Sequence, residues 1–285
     1  MATAFVLSGG ASLGAIQVGM ARGLFEHGIR PDILIGTSAG AINAAVLAQG
    51  FDCAHLDELA GVWRSLKRQT VFPFDPLRGF LGFFGQRNYL CSPGPLRRLL
   101  GEHIRYDSLE HAAISVHMVA TDLHSGREVL LSRGPTIDAV MASAALPGVF
   151  PPVPINDDVL IDGGVSNNAP LSHAVRLGAD EVYLLTCGHA CALPRPPKSA
   201  LGVLLQSMSV LIGRQLVHDI ERYEPTCRLH VVPQLCPLGI SPIDFRHADE
   251  LGTRAYESTM AWLSRPRSSH GQGALVEPHV HRYST

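Results

Sequence analysis

Gly36-Thr37-Ser38-Ala39-Gly40 is a Gly-x-Ser-x-Gly pentapeptide set between an apolar run, Ile33-Leu34-Ile35, and an alanine-rich stretch. A serine on a sharp strand-to-helix turn needs strained backbone angles, and glycines at 36 and 40 remove side chains that would clash there. The turn also sets Ser38 at a helix N-terminus, where free amides and the helix dipole favour developing negative charge. This is the setting of an acyl-transfer nucleophile. The pentapeptide taken alone is equally compatible with Ser38 as a helix cap in a tight packing turn.

Two further clusters bear on the same chemistry. Ser8-Gly9-Gly10-Ala11-Ser12-Leu13-Gly14 follows the first apolar run, and its small residues let backbone amides point into a cavity. An oxyanion hole requires such donors, each worth roughly 10²–10³ in turnover. A phosphate-binding loop is the competing reading, but the Gly-x-Gly-x-x-Gly order and the nucleotide-loop lysine are both missing. Asp162-Gly163-Gly164 follows the apolar run Val159-Leu160-Ile161. A carboxylate there is able to take the Ser38 proton, provided burial raises its basicity above the ordinary value of about 3.9 or the oxyanion is strongly stabilised. An aspartate in a plain turn before glycines is the competing reading.

These groups need a scaffold that brings them together. Phe5-Val6-Leu7 reads as a buried strand and Leu13–His27 as a helix closed by Gly28. Ile33–Ile35 reads as a second strand and Ala39–Gln49 as a second helix. Strand–helix–strand–helix with short connections predicts a parallel sheet covered on both faces. Strand C-termini of such a sheet gather along one edge, where Gly9, Ser38 and Asp162 can converge. Further helices are expected over 56–67, from Ser92-Pro93 onward, over 135–145, 201–216 and 247–263. Strands are expected over 113–122, 128–131, 181–186 and 229–232, with 147–154 a proline-broken loop. In the helix over 201–216 the apolar residues Leu201, Leu204, Leu205, Met208, Leu211 and Ile212 form a stripe expected to pack on the core, with a membrane-surface helix as the competing reading.

Composition narrows the class. The net charge of −2 leaves no electrostatic footprint for nucleic acid. No secretory leader and no apolar run of membrane-spanning length is visible, so a cytoplasmic location is expected, with peripheral membrane contact in view. Cysteines at 53, 91, 187, 191, 227 and 236 have no zinc-site spacing and are expected to be free thiols; no metal or cofactor is expected. One domain over residues 1–264 is expected, followed by a disordered tail over 265–285 rich in Ser, Gly, His, Pro and Arg.

The motifs occur together and in order, and here the chain resembles the patatin-like phospholipases. The resemblance rests on 8–20, 36–45 and 162–170, with Ala120-Thr121-Asp122-Leu123 and Ala144-Ala145-Leu146-Pro147-Gly148-Val149-Phe150-Pro151. It implies a three-layer α/β/α fold with a mainly parallel sheet and hydrolysis of lipid acyl esters without a metal. It also implies a Ser–Asp dyad, Ser38 attacking and Asp162 taking the proton, with the amides around Gly9, Gly10 and Ala11 holding the oxyanion. The chain departs from the commonest pattern at Ala11 and Leu13, where many members carry a third glycine and a cation. That loss bears on phospholipid preference more than on ester hydrolysis.

Rival readings differ in chemistry. A Ser–His–Asp triad with His173 or His189 as base requires several strands before the nucleophile strand, and Ser38 has room for one. A lipid-binding protein or an acyltransferase on the same fold would keep the same residues. Phe72, Phe74, Phe80, Phe83 and Phe84 lie among prolines and glycines, and this stretch is expected either to cover an acyl pocket and meet the membrane or to pack beneath a long connection.

Overall fold

The computed structural model describes residues 1–71, 88–188, 196–197, 200–236, 238–265, 276–277 and 279. The expectations for Phe72–Phe84, and most of those for the tail, lie outside the described residues. Among the described residues there are eight strands: β1 (Thr3–Leu7), β2 (Ile33–Thr37), β3 (Ser115–Asp122), β4 (Glu128–Leu131), β5 (Val153–Ile155), β6 (Asp158–Asp162), β7 (Glu181–Leu185) and β8 (Arg228–Val231). The described helices are α1 (Ala15–Glu26), α2 (Ala39–Leu47), α3 (Cys53–Ser65), the single turn α4 (Arg68–Val71), α5 (Gly94–His103), α6 (Thr136–Ser143), α7 (Leu171–Arg176), α8 (Ala200–Tyr223) and α9 (Ala248–Leu263).

The sheet runs β5-β6-β3-β2-β1-β7-β8, with β4 also on β3. Strands β3, β2, β1, β7 and β8 are mutually parallel, while β4, β5 and β6 pair antiparallel. Each buried strand feeds both faces, because successive side chains alternate. Phe5 and Leu7 join the core built with α1, α2, α3 and α9, whereas Ala4 and Val6 join the one built with α7 and α8. Helices thus cover both faces of a mostly parallel sheet, the expected layering.

Four expectations need correction. Asp162 does not follow a parallel strand: β6 runs antiparallel to β3, pairing Ala120 with Asp162, while β2 pairs Thr37 with Val119. β4 occupies the other side of β3 at both positions. β2 and β6 therefore meet end to end along one side of β3, and that juncture holds Ser38 and Asp162. Second, the stretch over 147–154 is not all loop, since Val153–Ile155 pairs as an edge strand, where proline costs no ladder bond.

Third, α8 does not pack along its whole predicted stripe. Leu216 and Ile220 are buried, but Met208 is 41% and Leu211 67% exposed. The helix has 24 residues, about 36 Å at 1.5 Å per residue. Strand β7 beneath it has 5 residues, about 17 Å. The sheet is too short to underlie the helix. Fourth, Cys53, Cys91, Cys187 and Cys227 are free, but Cys236 is disulfide-bonded. In the tail, Val276 is buried against the core of α7 and α8.

Candidate active site

Ser38 sits at φ 55, ψ −118, on the left-handed side of the map that a serine rarely adopts. The surrounding structure over-determines this strain. A Cβ on Gly36 would lie 2.3 Å from the Gly40 carbonyl oxygen, and one on Gly40 would lie 2.1 Å from that of Leu7. Both glycines let the turn fold onto itself and onto the end of β1. The Ser38 carbonyl accepts from the Ala41 and Ile42 amides, starting α2. Its own amide donates to Ser143 Oγ at 3.0 Å, and Ser143 donates to the Val119 carbonyl at 2.6 Å. Ser143, fully buried at the end of α6, thus ties the turn to β3.

The Ser38 hydroxyl donates to Asp162 Oδ2 at 2.6 Å, and the Gly164 amide donates to Asp162 Oδ1 at 2.7 Å. Asp162 is buried. Burial pushes its carboxyl up to about 6, against the two hydrogen bonds, which pull it down. Its backbone is fixed on both sides: its amide donates to the Ala145 carbonyl, and Thr121 Oγ1 donates to its carbonyl at 2.9 Å. Gly163 packs on the Val119 carbonyl, where a Cβ would come within 2.2 Å.

The glycine loop abuts this pair. Gly9 is close enough that a Cβ on it would lie 3.1 Å from Ser38 Cβ. Its amide, however, donates to the Asn168 carbonyl at 3.1 Å, so Gly9 is not a free donor. The Ser12 amide donates to Pro242 and that of Leu13 to Gly10. Among the described residues, the amides of Gly10 and Ala11 have no protein acceptor, and Ala11 takes the left-handed φ of 50. Leu13 is buried in the core, so this position presents no polar group to the site.

Residues not singled out from sequence hold the loop in place. Gln17 Nε2 donates to the carbonyls of Ser8 (2.9 Å) and Leu185 (2.8 Å). Asn43 Nδ2 donates to Gln17 Oε1 and to the Gly14 carbonyl, and Trp63 Nε1 donates to Asn43 Oδ1. All three side chains are buried and mutually satisfied, a condition under which a buried polar network rigidifies its surroundings. The signal available in sequence was a lone asparagine in an otherwise apolar helix. For Ser143, between two alanines at a helix end, no signal was available.

Beside Ser38 opens an apolar pocket of about 40 Å³, walled by Ile42, Trp63, Leu96, Leu146, Phe150 and Phe245 among others. Its polarity suits a hydrocarbon chain. His173 is held by Glu128 at 3.3 Å and by Arg176 at 3.0 Å. Among the described residues no histidine bonds to Ser38, and His189 lies outside them. Burial pushes the Cys187 thiol up to about 12, so it is no competing nucleophile. No group of three potential metal ligands occurs among the described residues, and no helix among them is long and apolar enough to cross a membrane.

Comparison with known proteins gives a consistent set of relatives. A family model described as patatin-like phospholipase matches residues 5–175. An uncharacterized NTE family protein of Mycobacterium tuberculosis is 32% identical over 58% of this chain and 27% of its own length. Lysophospholipase nte1 of Aspergillus oryzae is 27% identical over 96% of this chain and 18% of its own length. The chain thus spans well under half the length of these two curated relatives. Among solved structures, VipD from Legionella pneumophila aligns with a TM-score of 0.53 at 15% identity, over 92% of this chain and 66% of its own, a likeness of fold.

Proposed function

Because this chain belongs to the patatin-like phospholipase family, we propose that it hydrolyses lipid acyl esters through a Ser38–Asp162 dyad. The observation that carries this reading is the 2.6 Å hydrogen bond from the Ser38 hydroxyl to a buried carboxylate, at the mouth of an apolar pocket. Asp162 accepts the Ser38 proton as Oγ attacks the acyl carbonyl. The amides of Gly10 and Ala11 hold the resulting oxyanion, with the N-terminus of α2 contributing its dipole. Protonated Asp162 then gives its proton to the departing alcohol, leaving an acyl ester on Ser38. Water attacks that ester in the second half, Asp162 taking its proton and passing it to Ser38 Oγ as the bond to the acyl group breaks and the fatty acid leaves. An aspartate near 6 is well matched to both transfers at neutral pH, being ionised at rest yet basic enough to accept.

The acyl chain lies in the pocket along Ile42, Leu146 and Phe150 in this reading. With Leu13 buried, no cation from that position meets a phosphate, so the acyl ester rather than the head group is the recognised element.

The test is hydrolysis of a p-nitrophenyl acyl-ester series by the wild type, Ser38→Ala and Asp162→Asn with excess chelator present. Turnover that chelator leaves intact and both substitutions reduce by roughly 10³ or more supports the dyad. Near-full activity in Asp162→Asn refutes it.

A further inference from the structure

Among the described residues the distribution of exposed apolar side chains is one-sided. Among the described residues the large ones are Met1, Leu90, Leu123, Val165, Val203, Met208, Val210, Leu211 and Ile243. Isolated exposed leucines are ordinary on any protein surface; their shared position is not. Ser38 follows β2, so it marks the C-terminal edge of the parallel strands. Leu123 follows β3 at that edge. Val165 lies three residues past Asp162. The Leu90 amide donates to the carbonyls of Gly148 and Val149, next to Phe150 of the pocket wall. Ile243 is bracketed by Pro242, which accepts from Ser12 in the glycine loop, and by the second position on, Phe245 of the pocket wall.

Helix α8 contributes the remainder. Connecting β7 to the parallel β8, it runs opposite to the strands, so its N-terminal half lies at the catalytic edge. Leu216 and Ile220 are its buried anchors, and Gln215 Nε2 donates to the Ser166 carbonyl at 3.2 Å, just past the aspartate motif. The turns before Gln215 therefore overhang the sheet beside the active site. There Val203, Val210 and Leu211 are 52%, 38% and 67% exposed, and at helical spacing they share one side. From residue 200 to 218 the helix carries no acidic residue and one cation, the exposed Arg214. Met1 alone among the exposed residues named sits at the opposite edge, where β1 begins.

We propose that the catalytic edge, with the overhanging half of α8 as its main element, docks on a lipid surface. The inference rests on the lipid-ester reading of the site. An apolar rim continuous with the pocket lets an acyl chain pass from the aggregate to Ser38 without crossing water, and apolar burial drives the contact. The missing acidic residues and Arg214 suit zwitterionic or anionic head groups. A second copy of the chain or a protein partner on the same face is the competing occupant.

The experiment is flotation of the full chain with phosphatidylcholine–phosphatidylglycerol vesicles. Wild type is compared with the pair Val203→Ser and Leu211→Asp, with Leu211→Trp, and with Ser38→Ala. The proposal expects the paired substitution to weaken vesicle binding at least about tenfold and to cut hydrolysis of vesicle lipid similarly. Turnover of p-nitrophenyl butyrate should stay within about twofold, since neither side chain lines the pocket. Leu211→Trp should blue-shift its emission on adding vesicles. Unchanged flotation of the paired variant overturns the proposal. So does a wild type that ignores vesicles but is dimeric in sedimentation and dissociates with the paired substitution. Ser38→Ala should float like the wild type, which separates the two readings: binding without any ester turnover sinks the hydrolase, turnover without binding sinks the docking face.

Discussion

Burying Asp162 carries an energetic cost, and that cost is measurable. Its carboxyl rises from 3.8 to about 6 on folding because burial outweighs the bonds from Ser38 and Gly164. A folded state that holds its proton more tightly than the unfolded chain is favoured at low pH. That contribution is fully present below 3.8 and is lost as pH rises through about 6. From 3.8 to about 6, at roughly 1.36 kcal/mol per pH unit, the penalty at neutral pH is about 3 kcal/mol. Asp162→Asn removes the charge and keeps the shape: its amide oxygen still accepts from Gly164, and its nitrogen can donate to Ser38 Oγ. The variant should therefore be inactive and more stable than wild type. Urea denaturation of both proteins at pH about 4.5 and about 7.5 isolates the effect, because all other titrations cancel in the difference. The stability advantage of Asp162→Asn should grow by about 2 kcal/mol between those two values. An advantage that stays constant, or a variant less stable at the higher pH, would refute the claim that a buried, destabilised carboxylate waits at this site.

On the proposed dyad the same ionisation sets the rate profile. With Asp162 required as the anion, kcat/KM on a soluble ester should fall about tenfold per pH unit below about 6 and flatten above it. A limb centred near an ordinary carboxylate value would contradict this. Ser143→Ala leaves the Ser38 amide without its acceptor in a buried setting. It should cost about 1–3 kcal/mol in stability and lower kcat roughly tenfold or more with little change in KM, as steady-state kinetics would show. Leu146→Trp fills part of the pocket wall. The preference for octanoyl over butyryl p-nitrophenyl esters should drop at least about fivefold, and an unchanged ratio would place the acyl chain elsewhere.

Much of the candidate site was legible because its parts are local. A serine between glycines after Ile33–Ile35, and an aspartate before glycines after Val159–Ile161, declare themselves within five residues each. How they meet was not legible. Strand direction is decided by long-range pairing, and β6 reverses through a hairpin with Asn156 at φ 53, inside a proline-rich stretch that hides β5. The geometry that results, two strands butting end to end against β3, is set by register, which no single segment encodes. Gly9 was expected among the oxyanion donors on the family resemblance. The carbonyl that occupies its amide belongs to Asn168, on the far side of the sequence. On α8, helical periodicity correctly gave a helix but not which half would find a sheet beneath it. That depended on the lengths of β7 and β8.

The central claim is that Ser38 becomes acylated because Asp162 takes its proton, and trapping with a fluorophosphonate tests it most directly. Labelled protein is digested and the modified residue located by mass spectrometry, with the labelling rate followed in wild type and Asp162→Asn. The account predicts a single adduct on Ser38 that forms at least roughly 10²-fold more slowly in the variant. An adduct on any other residue, or labelling of Asp162→Asn at the wild-type rate, would contradict it.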